Sequence, residues 1–217
     1  MILYNPVDAD IFSKNIKLQP RTCFVMTKLG EPVPQEIINT RKTLSKYLKQ
    51  RGINEIDAFS GVTGKDMLLK IYEMIVSAPL GIGIIAKASK NFSSSTTSNI
   101  FYELGLMQAL GKETLVIKTP GSVVPTDLVR TEYIEYSRGF KKKINQYLDT
   151  MFDQAEHYAT LAGQFNKNPL HAIDYYRRAY LITGEQDYKD EAKNIFIKNI
   201  KSFDVQTAAY IENFVNS

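Results

Sequence analysis

The apolar run LGIGIIAKA at residues 80–88 restricts the chain to few folds. Pro79 ends the helical pattern before it, and a stretch rich in Ser and Thr follows it. A strand that is apolar at nearly every position is typical of the centre of a parallel sheet, where both faces are covered. We therefore expect residues 80–88 to form a central strand of an α/β domain.

Further short apolar runs alternate with helical patterns on both sides of this strand. Runs rich in β-branched and aromatic residues predict strands at residues 22–27, 53–59, 113–118 and 131–136, the last alternating like an edge strand. Helical spacing of apolar residues predicts helices at residues 35–50 and 64–77. This alternation predicts a flavodoxin- or Rossmann-like open parallel sheet of about five strands, with helices on both faces.

The last third of the sequence predicts helices only. Helical stretches at residues 154–165, 170–183, 187–199 and 204–216 are separated by short polar links. The run AIDYYRRAY at residues 172–180 resembles a tetratricopeptide-type hairpin, which cannot bury its own face alone. It should pack on the α/β domain or against a second copy, so we expect a homo-oligomer or a partner protein at these helices.

The predicted organisation is an N-terminal arm (residues 1–20), an α/β domain (21–150) and a helical extension (151–217). With 217 residues and 44% hydrophobic content, the chain can bury one good core with a small appendage. The net charge of +4 is modest, and we interpret RGFKKK at residues 138–143 as a solvated helix turn. Nucleic acid is therefore not indicated as a partner.

Cysteine and histidine usage excludes several kinds of site. Cys23 is the only cysteine, so neither an internal disulfide nor a cysteine-based zinc site is expected. His157 and His171 are the only histidines and both come late, so we expect no histidine triad and no metal. Because no signal peptide and no 18-residue apolar stretch is present, we expect a cytoplasmic protein without a membrane partner.

Polar groups follow each predicted strand, and in an open parallel sheet ligands bind at the carboxyl ends of the strands. The glycines, hydroxyls and lysines there suit a phosphorylated sugar. The candidate binding residues are Thr27, Lys28, Gly30, Phe59, Gly61, Lys87, Ser98, Asn99 and Tyr102.

Glu103 is the candidate catalytic residue. We expect it in the first turn of a helix that follows a Ser/Thr-rich loop ending at Asn99, where the helix dipole favours the ionised carboxylate. Gly105, two residues on, suggests a close approach to the backbone. The alternative is an ordinary first-turn glutamate that complements the dipole, with Ser98 or Asn99 only as an N-cap.

The motif NxFYELG at residues 99–105, followed by ALGK at residues 109–112 and an apolar strand, resembles the nucleoside 2-deoxyribosyltransferase-like and TIR-like nucleotide-binding families. The resemblance covers residues 21–150. It implies that Glu103 is the carboxylate of N-glycosidic bond cleavage, either as nucleophile or by stabilising an oxocarbenium-like transition state. The implied substrate is NAD or a (deoxy)nucleoside phosphate, with no cofactor, and the implied setting is bacterial defence or stress.

One departure from these families leaves the function open. Many relatives carry an Asp directly after the third strand, whereas residues 86–89 read AKAS, and Asp57 is either a substitute or an ordinary strand-end aspartate. A non-catalytic module that binds a nucleotide and signals through its helical tail is the alternative, and an interaction domain built on the hairpin alone is a third. Both nucleotide hypotheses predict that Glu103 faces a pocket at the carboxyl ends of the strands, near Lys28 or Lys87, and both fail if Glu103 points into bulk solvent.

Overall fold

A single parallel sheet of five strands forms the centre of the chain. The structure, a computed structural model, describes residues 16–58, 67–124, 133–165 and 167–216. The strands are β1 (Thr22–Met26), β2 (Asn54–Ile56), β3 (Leu80–Ile85), β4 (Glu113–Lys118) and β5 (Tyr133–Glu135). The α-helices are α1 (Gln35–Gln50), α2 (Met67–Ser77), α3 (Ser94–Ala109), α4 (Phe140–Gln164), α5 (Pro169–Thr183), α6 (Gln186–Asn199) and α7 (Val205–Asn216), with a 3₁₀ turn at Ile200–Ser202.

The strand order is β2-β1-β3-β4-β5, with every neighbouring pair parallel. This is the flavodoxin-like order, and it confirms the predicted fold class. The chain moves one way from β1 to β2 and the other way from β2 through β3 to β4. Right-handed crossovers therefore place α1 on one face of the sheet and α2 and α3 on the other. On the first face, Arg51 at the end of α1 forms an ion pair with Asp149 of α4 (2.6 Å).

The central strand β3 is buried along its whole length, as its apolar sequence predicts. Its glycines make room for α3. A Cβ atom placed on Gly83 would lie 2.7 Å from Ile100 Cγ2 and 2.7 Å from Leu104 Cδ1, both in α3. The helix therefore packs directly on the backbone of β3, which fixes the position of every α3 side chain relative to the sheet.

The helical tail is continuous with the α/β domain. Helix α4 is 25 residues long and runs across the predicted domain boundary between residues 150 and 151. Its first half buries Phe140, Ile144 and Leu148 in the main core. Helices α5, α6 and α7 enclose a second core around Phe196 and Phe214.

The tail contacts the amino ends of the strands. Arg178 of α5 donates from Nη1 to the carbonyl of Gly111, just before β4 (3.0 Å), and Tyr158 donates to Glu113 Oε1 (3.0 Å). Arg21, just before β1, donates from Nη1 to the carbonyl of Thr183 (3.0 Å). Of the two predicted packing arrangements, the structure therefore has the hairpin on the α/β domain. It lies at the opposite end of the sheet from the expected ligand edge.

Two smaller expectations also have an outcome. From the predicted arm only residues 16–20 are described, and there the amide of Gln19 donates to the carbonyl of Ser77 (3.0 Å). The lysines at residues 141–143 are exposed on α4, as expected for a solvated helix turn.

Within the described ranges, no helix combines the length and the apolar character that crossing a membrane requires.

Candidate functional site

The carboxyl edge of the sheet has its switch point between β1 and β3, where the strand order reverses. Ligands of open α/β sheets bind at this point. The loop after β1 carries Thr27, Lys28 and Gly30, and the loop after β3 carries Lys87. These four residues therefore lie at the expected edge, but Lys87 does not line the cavity that the other three residues line.

Helix α3 begins at Ser94, inside the stretch that was expected to be a loop. Ser93 is the N-cap, and its Oγ accepts a hydrogen bond from the amide of Thr96 (3.2 Å). Serine and threonine have low helix propensity because their side chains compete for backbone hydrogen bonds. Packing of the apolar face of α3 on β3 outweighs that preference.

Because α3 starts earlier than expected, three residues occupy different positions in the helix from those predicted. Ser98 lies inside the helix, where its Oγ donates to the carbonyl of Ser94 (3.2 Å), so neither Ser98 nor Asn99 is the N-cap. Glu103 is in the third turn and not in the first. The helix dipole acts within the first turn, so it does not stabilise the ionised Glu103 as expected.

Burial has the opposite effect on Glu103. It raises the pKa of the carboxyl from its ordinary value of 4.5 to about 7. The carboxyl accepts no hydrogen bond from any described residue that would offset this cost. A carboxyl that is half-ionised near neutral pH is typical of acid–base and nucleophilic sites.

Glu103 lines a cavity of about 250 Å³ between α2 and α3, which we call the Glu103 cavity. Helix α3 contributes four residues spaced for one helix face: Asn99, Tyr102, Glu103 and Leu106. Helix α2 contributes a mostly apolar wall of Leu68, Ile71, Tyr72 and Ile75. Burial, with a smaller effect of Tyr102, raises the pKa of Tyr72, so its phenol stays a neutral hydrogen-bonding group. The volume is slightly below the ~300 Å³ lower end of small-molecule pockets, so the cavity can enclose a small molecule or one part of a larger one.

A second and larger cavity, of about 530 Å³, lies on the other face of the sheet. We call it the α1 cavity. The loop after β1 contributes Thr27, Lys28 and Gly30, and α1 contributes Ile37, Arg41 and Lys42. Glu103 was expected to face a pocket at the carboxyl ends of the strands, near Lys28 or Lys87. It faces a pocket, but neither lysine lines that pocket, and Lys28 lies at the cavity on the other face of the sheet.

The remaining predicted residues are dispersed. Lys87 is exposed, and its side chain passes Gly121 in the loop after β4; it does not line the Glu103 cavity. Ser98 is exposed on α3 and does not line it either. Phe59 and Gly61 lie outside the described residues. Asn99 and Tyr102 are the two predicted binding residues that the structure brings together with Glu103.

Two features of the structure were not predicted from the sequence. A Cβ atom on Gly105 would meet nothing within 4 Å, so close approach is required at Gly83 in β3 and not at Gly105. The α2 wall was also missed as part of the site. The residue that marks this wall is Leu68, which belongs to the apolar stripe of α2 but is 40% exposed.

Comparisons with known proteins add no relative: no protein family, no curated protein and no solved structure matches this chain.

Proposed function

We propose that the chain is an N-glycosidase that cleaves the bond between base and sugar of a nucleotide, with Glu103 as the essential carboxylate. The observation that carries the proposal is the placement of Glu103 in a mostly apolar cavity, without a hydrogen-bond partner among the described residues. The motif around Glu103, which resembles the deoxyribosyltransferase-like and TIR-like families, supports the same role.

The cavity walls suit the parts of a nucleoside. Leu68, Ile71 and Tyr72 offer an apolar surface against which a base can lie. Asn99, one turn before Glu103 on the same face of α3, offers an amide that can bind a sugar hydroxyl. This arrangement holds the sugar beside the carboxyl group.

The reaction follows from a single carboxylate next to C1′. As the C1′–N bond breaks, its electron pair leaves with the base and C1′ becomes oxocarbenium-like. The Glu103 carboxylate stabilises that positive charge or bonds to C1′, and water or a second acceptor then takes the sugar. A half-buried carboxylate interacts more strongly with the developing charge than an exposed one does, because less water screens it.

The substrate class follows from the carboxyl groups that line the cavity. Glu103 is the one carboxyl among the described residues that line it, so none of these residues offers a second carboxylic acid to protonate a leaving base. A base that is cationic in the substrate leaves as a neutral molecule and needs no proton. This favours a pyridinium nucleotide such as NAD, with (deoxy)nucleoside phosphates next.

Incubation of the purified chain with NAD and with a panel of (deoxy)nucleoside phosphates tests the proposal. We expect free base to appear, and liquid chromatography measures it. We expect the largest rate with NAD. If every substrate stays intact at high protein concentration, the chain is not an N-glycosidase on these nucleotides.

The pH dependence of base release tests the charge state in which Glu103 acts. Because the pKa is about 7, we expect kcat/KM to rise about tenfold per pH unit below pH 7 and to level off above it. Steady-state rates between pH 5 and 9 measure the profile. A rate that falls above pH 7 would mean that the protonated acid is the active form.

A binding-only function is the second candidate. Two observations favour it: Glu103 has no partner carboxyl in the described part of its cavity, and the tail is linked to the α2 wall. Lys112 Nζ donates to the carbonyls of Val76 and Ala78 at the end of α2 (2.8 and 2.7 Å), and Arg178 of the tail holds the adjacent Gly111. Nucleotide binding by calorimetry, with no base released, would establish this function.

A further inference from the structure

The α1 cavity contains polar and charged groups that the proposed reaction does not use. It lies between the loop after β1 and α1, on the opposite face of the sheet from Glu103. At about 530 Å³ it falls within the range of cavities that hold small molecules.

One side chain of the α1 cavity has an unmet hydrogen bond. Thr27 Oγ1 is buried, and no described residue is within hydrogen-bond reach of it. A buried hydroxyl without a partner costs about 1 to 3 kcal/mol, so such groups are rare unless a ligand or water supplies the bond. Thr27 lies at the end of β1, at the switch point of the sheet, where ligands of this fold bind.

The α1 cavity also contains two lysines that can bind an anion. Lys28 Nζ donates to the carbonyls of Gly30 (3.0 Å) and Pro32 (2.5 Å), which leaves one of its three N–H groups available. Lys42 on α1 has no ion pair with a described residue. Glu31 lines the cavity too, and its carboxylate, which accepts a hydrogen bond from the amide of Val33 (2.9 Å), offsets one of the two lysine charges and leaves a net positive charge.

Arg41 has a different role at this cavity. Its guanidinium pairs with Glu55 (2.8 Å) and with Asp57, so its charge is compensated and it ties α1 to the end of β2. Lys28 and Lys42 are therefore the cations left for a ligand. Asp57, the sequence-based substitute for a second catalytic carboxylate, is engaged here and does not line the Glu103 cavity.

Apart from Ser45, whose hydroxyl donates to a carboxylate of β2, the other side chains of the lining are apolar. Val33, Ile37 and Ile38 form a hydrophobic surface, and Ile38 is 44% exposed. We propose that the α1 cavity is a separate small-molecule site for a ligand that carries one anionic group on an apolar or aromatic body. The lysines bind the anion, Thr27 fixes it by a hydrogen bond, and the isoleucines cover the body. This site does not depend on the reaction assigned to Glu103.

Titration with four probes tests the chemistry of the site. Naphthyl phosphate and naphthoate carry an aromatic body and an anion, naphthol lacks the anion, and inorganic phosphate lacks the body. Amide chemical shifts of residues 27–45 in ¹⁵N-labelled protein report binding. We expect the two naphthyl anions to bind more tightly than naphthol and phosphate, and the tighter of the two identifies the anionic group. Equal binding of naphthol and naphthyl phosphate would overturn the proposal.

Matched variants test the residues. We expect Lys42→Glu to raise the Kd of the tighter naphthyl anion at least about tenfold, because it reverses a charge beside the anion. Lys46→Glu makes the same charge change one turn later on α1, outside the cavity, and we expect less than a twofold effect. If both variants weaken binding equally, the anion is attracted by general charge and the assigned site is wrong.

Thr27→Val separates a binding role from a structural one. The change keeps the side-chain shape and removes the unpaired hydroxyl, so we expect unaltered or higher thermal stability together with weaker binding of the anion. Unchanged affinity would contradict the role of Thr27. Glu103→Gln should leave this Kd unchanged whether or not the chain cleaves nucleotides, and a large effect would show that the two cavities are not independent.

Discussion

Replacing Glu103 with Gln is expected to remove base release and, at the same time, to stabilise the folded chain above pH 7. The amide keeps the size of the side chain but cannot become negative, so we expect the rate of base release to fall at least about 100-fold. Glu36→Gln is the matched control, because Glu36 is an exposed residue of α1 that lines neither cavity, and it should retain full activity.

The effect of Glu103→Gln on stability follows from the raised pKa. Because the folded state holds the proton more tightly than the unfolded chain, the wild type loses stability as the pH rises from 4.5 through about 7. A pKa difference from 4.5 to about 7 corresponds to about 3 kcal/mol, of which we expect about 1 to 3 kcal/mol to be recovered by Gln at pH 8. At pH 4 the wild-type carboxyl is protonated in both states, and the gain should vanish.

Thermal unfolding of wild type, Glu103→Gln and Glu36→Gln at pH 4 and pH 8 measures this difference. Equal melting temperatures for wild type and Glu103→Gln at pH 8 would show that the carboxyl is not destabilised by burial. A variant that gains stability and loses activity would identify Glu103 as a residue kept for function.

A pair of glycine variants is expected to have opposite effects on stability. Gly83→Ala should lower the free energy of unfolding by about 1 to 3 kcal/mol, because its Cβ would lie 2.7 Å from Ile100 and 2.7 Å from Leu104. Gly105→Ala should raise it by up to about 1 kcal/mol, because alanine favours the helix and its Cβ meets nothing within 4 Å.

Urea unfolding of both variants measures the two changes under the same conditions. Gly83→Ala should also displace α3, so we expect it to weaken nucleotide binding in the Glu103 cavity. Stabilisation by Gly83→Ala would contradict the close packing of α3 on β3, and destabilisation by Gly105→Ala would restore a structural role for that glycine.

The sheet could be predicted from the sequence because its three inner strands, β1, β3 and β4, are rich in apolar residues. Residues 80–88 predict the central strand, and residues 131–136 predict the edge strand at β5. The start of α3 was predicted too late. Residues 93–99 are Ser, Thr and Asn, whose local preference is for turns, and these residues are themselves exposed or half-buried. The helix that includes them packs on the sheet through Ile100, Leu104 and Met107, which come later in the sequence.

The candidate site could be predicted in part. Sequence order shows that Thr27 and Lys87 follow strands at the same edge, but it does not show on which face of the sheet a side chain lies. The α1 cavity and the Glu103 cavity are separate for that reason. The pKa of Glu103 depends on the neighbouring wall of α2, which no local pattern around Glu103 contains.

The length of α4 has a mechanical consequence for the whole chain. At 25 residues and about 1.5 Å per residue, α4 is about 37 Å long. Its first half packs on the sheet, and its second half packs on the helices of the tail. Because one continuous helix joins these halves, we expect a displacement of α5–α7 to move α4 as a unit. Asp149 of α4 pairs with Arg51 at the end of α1, so we expect such a displacement to reach α1 and the cavity beside it.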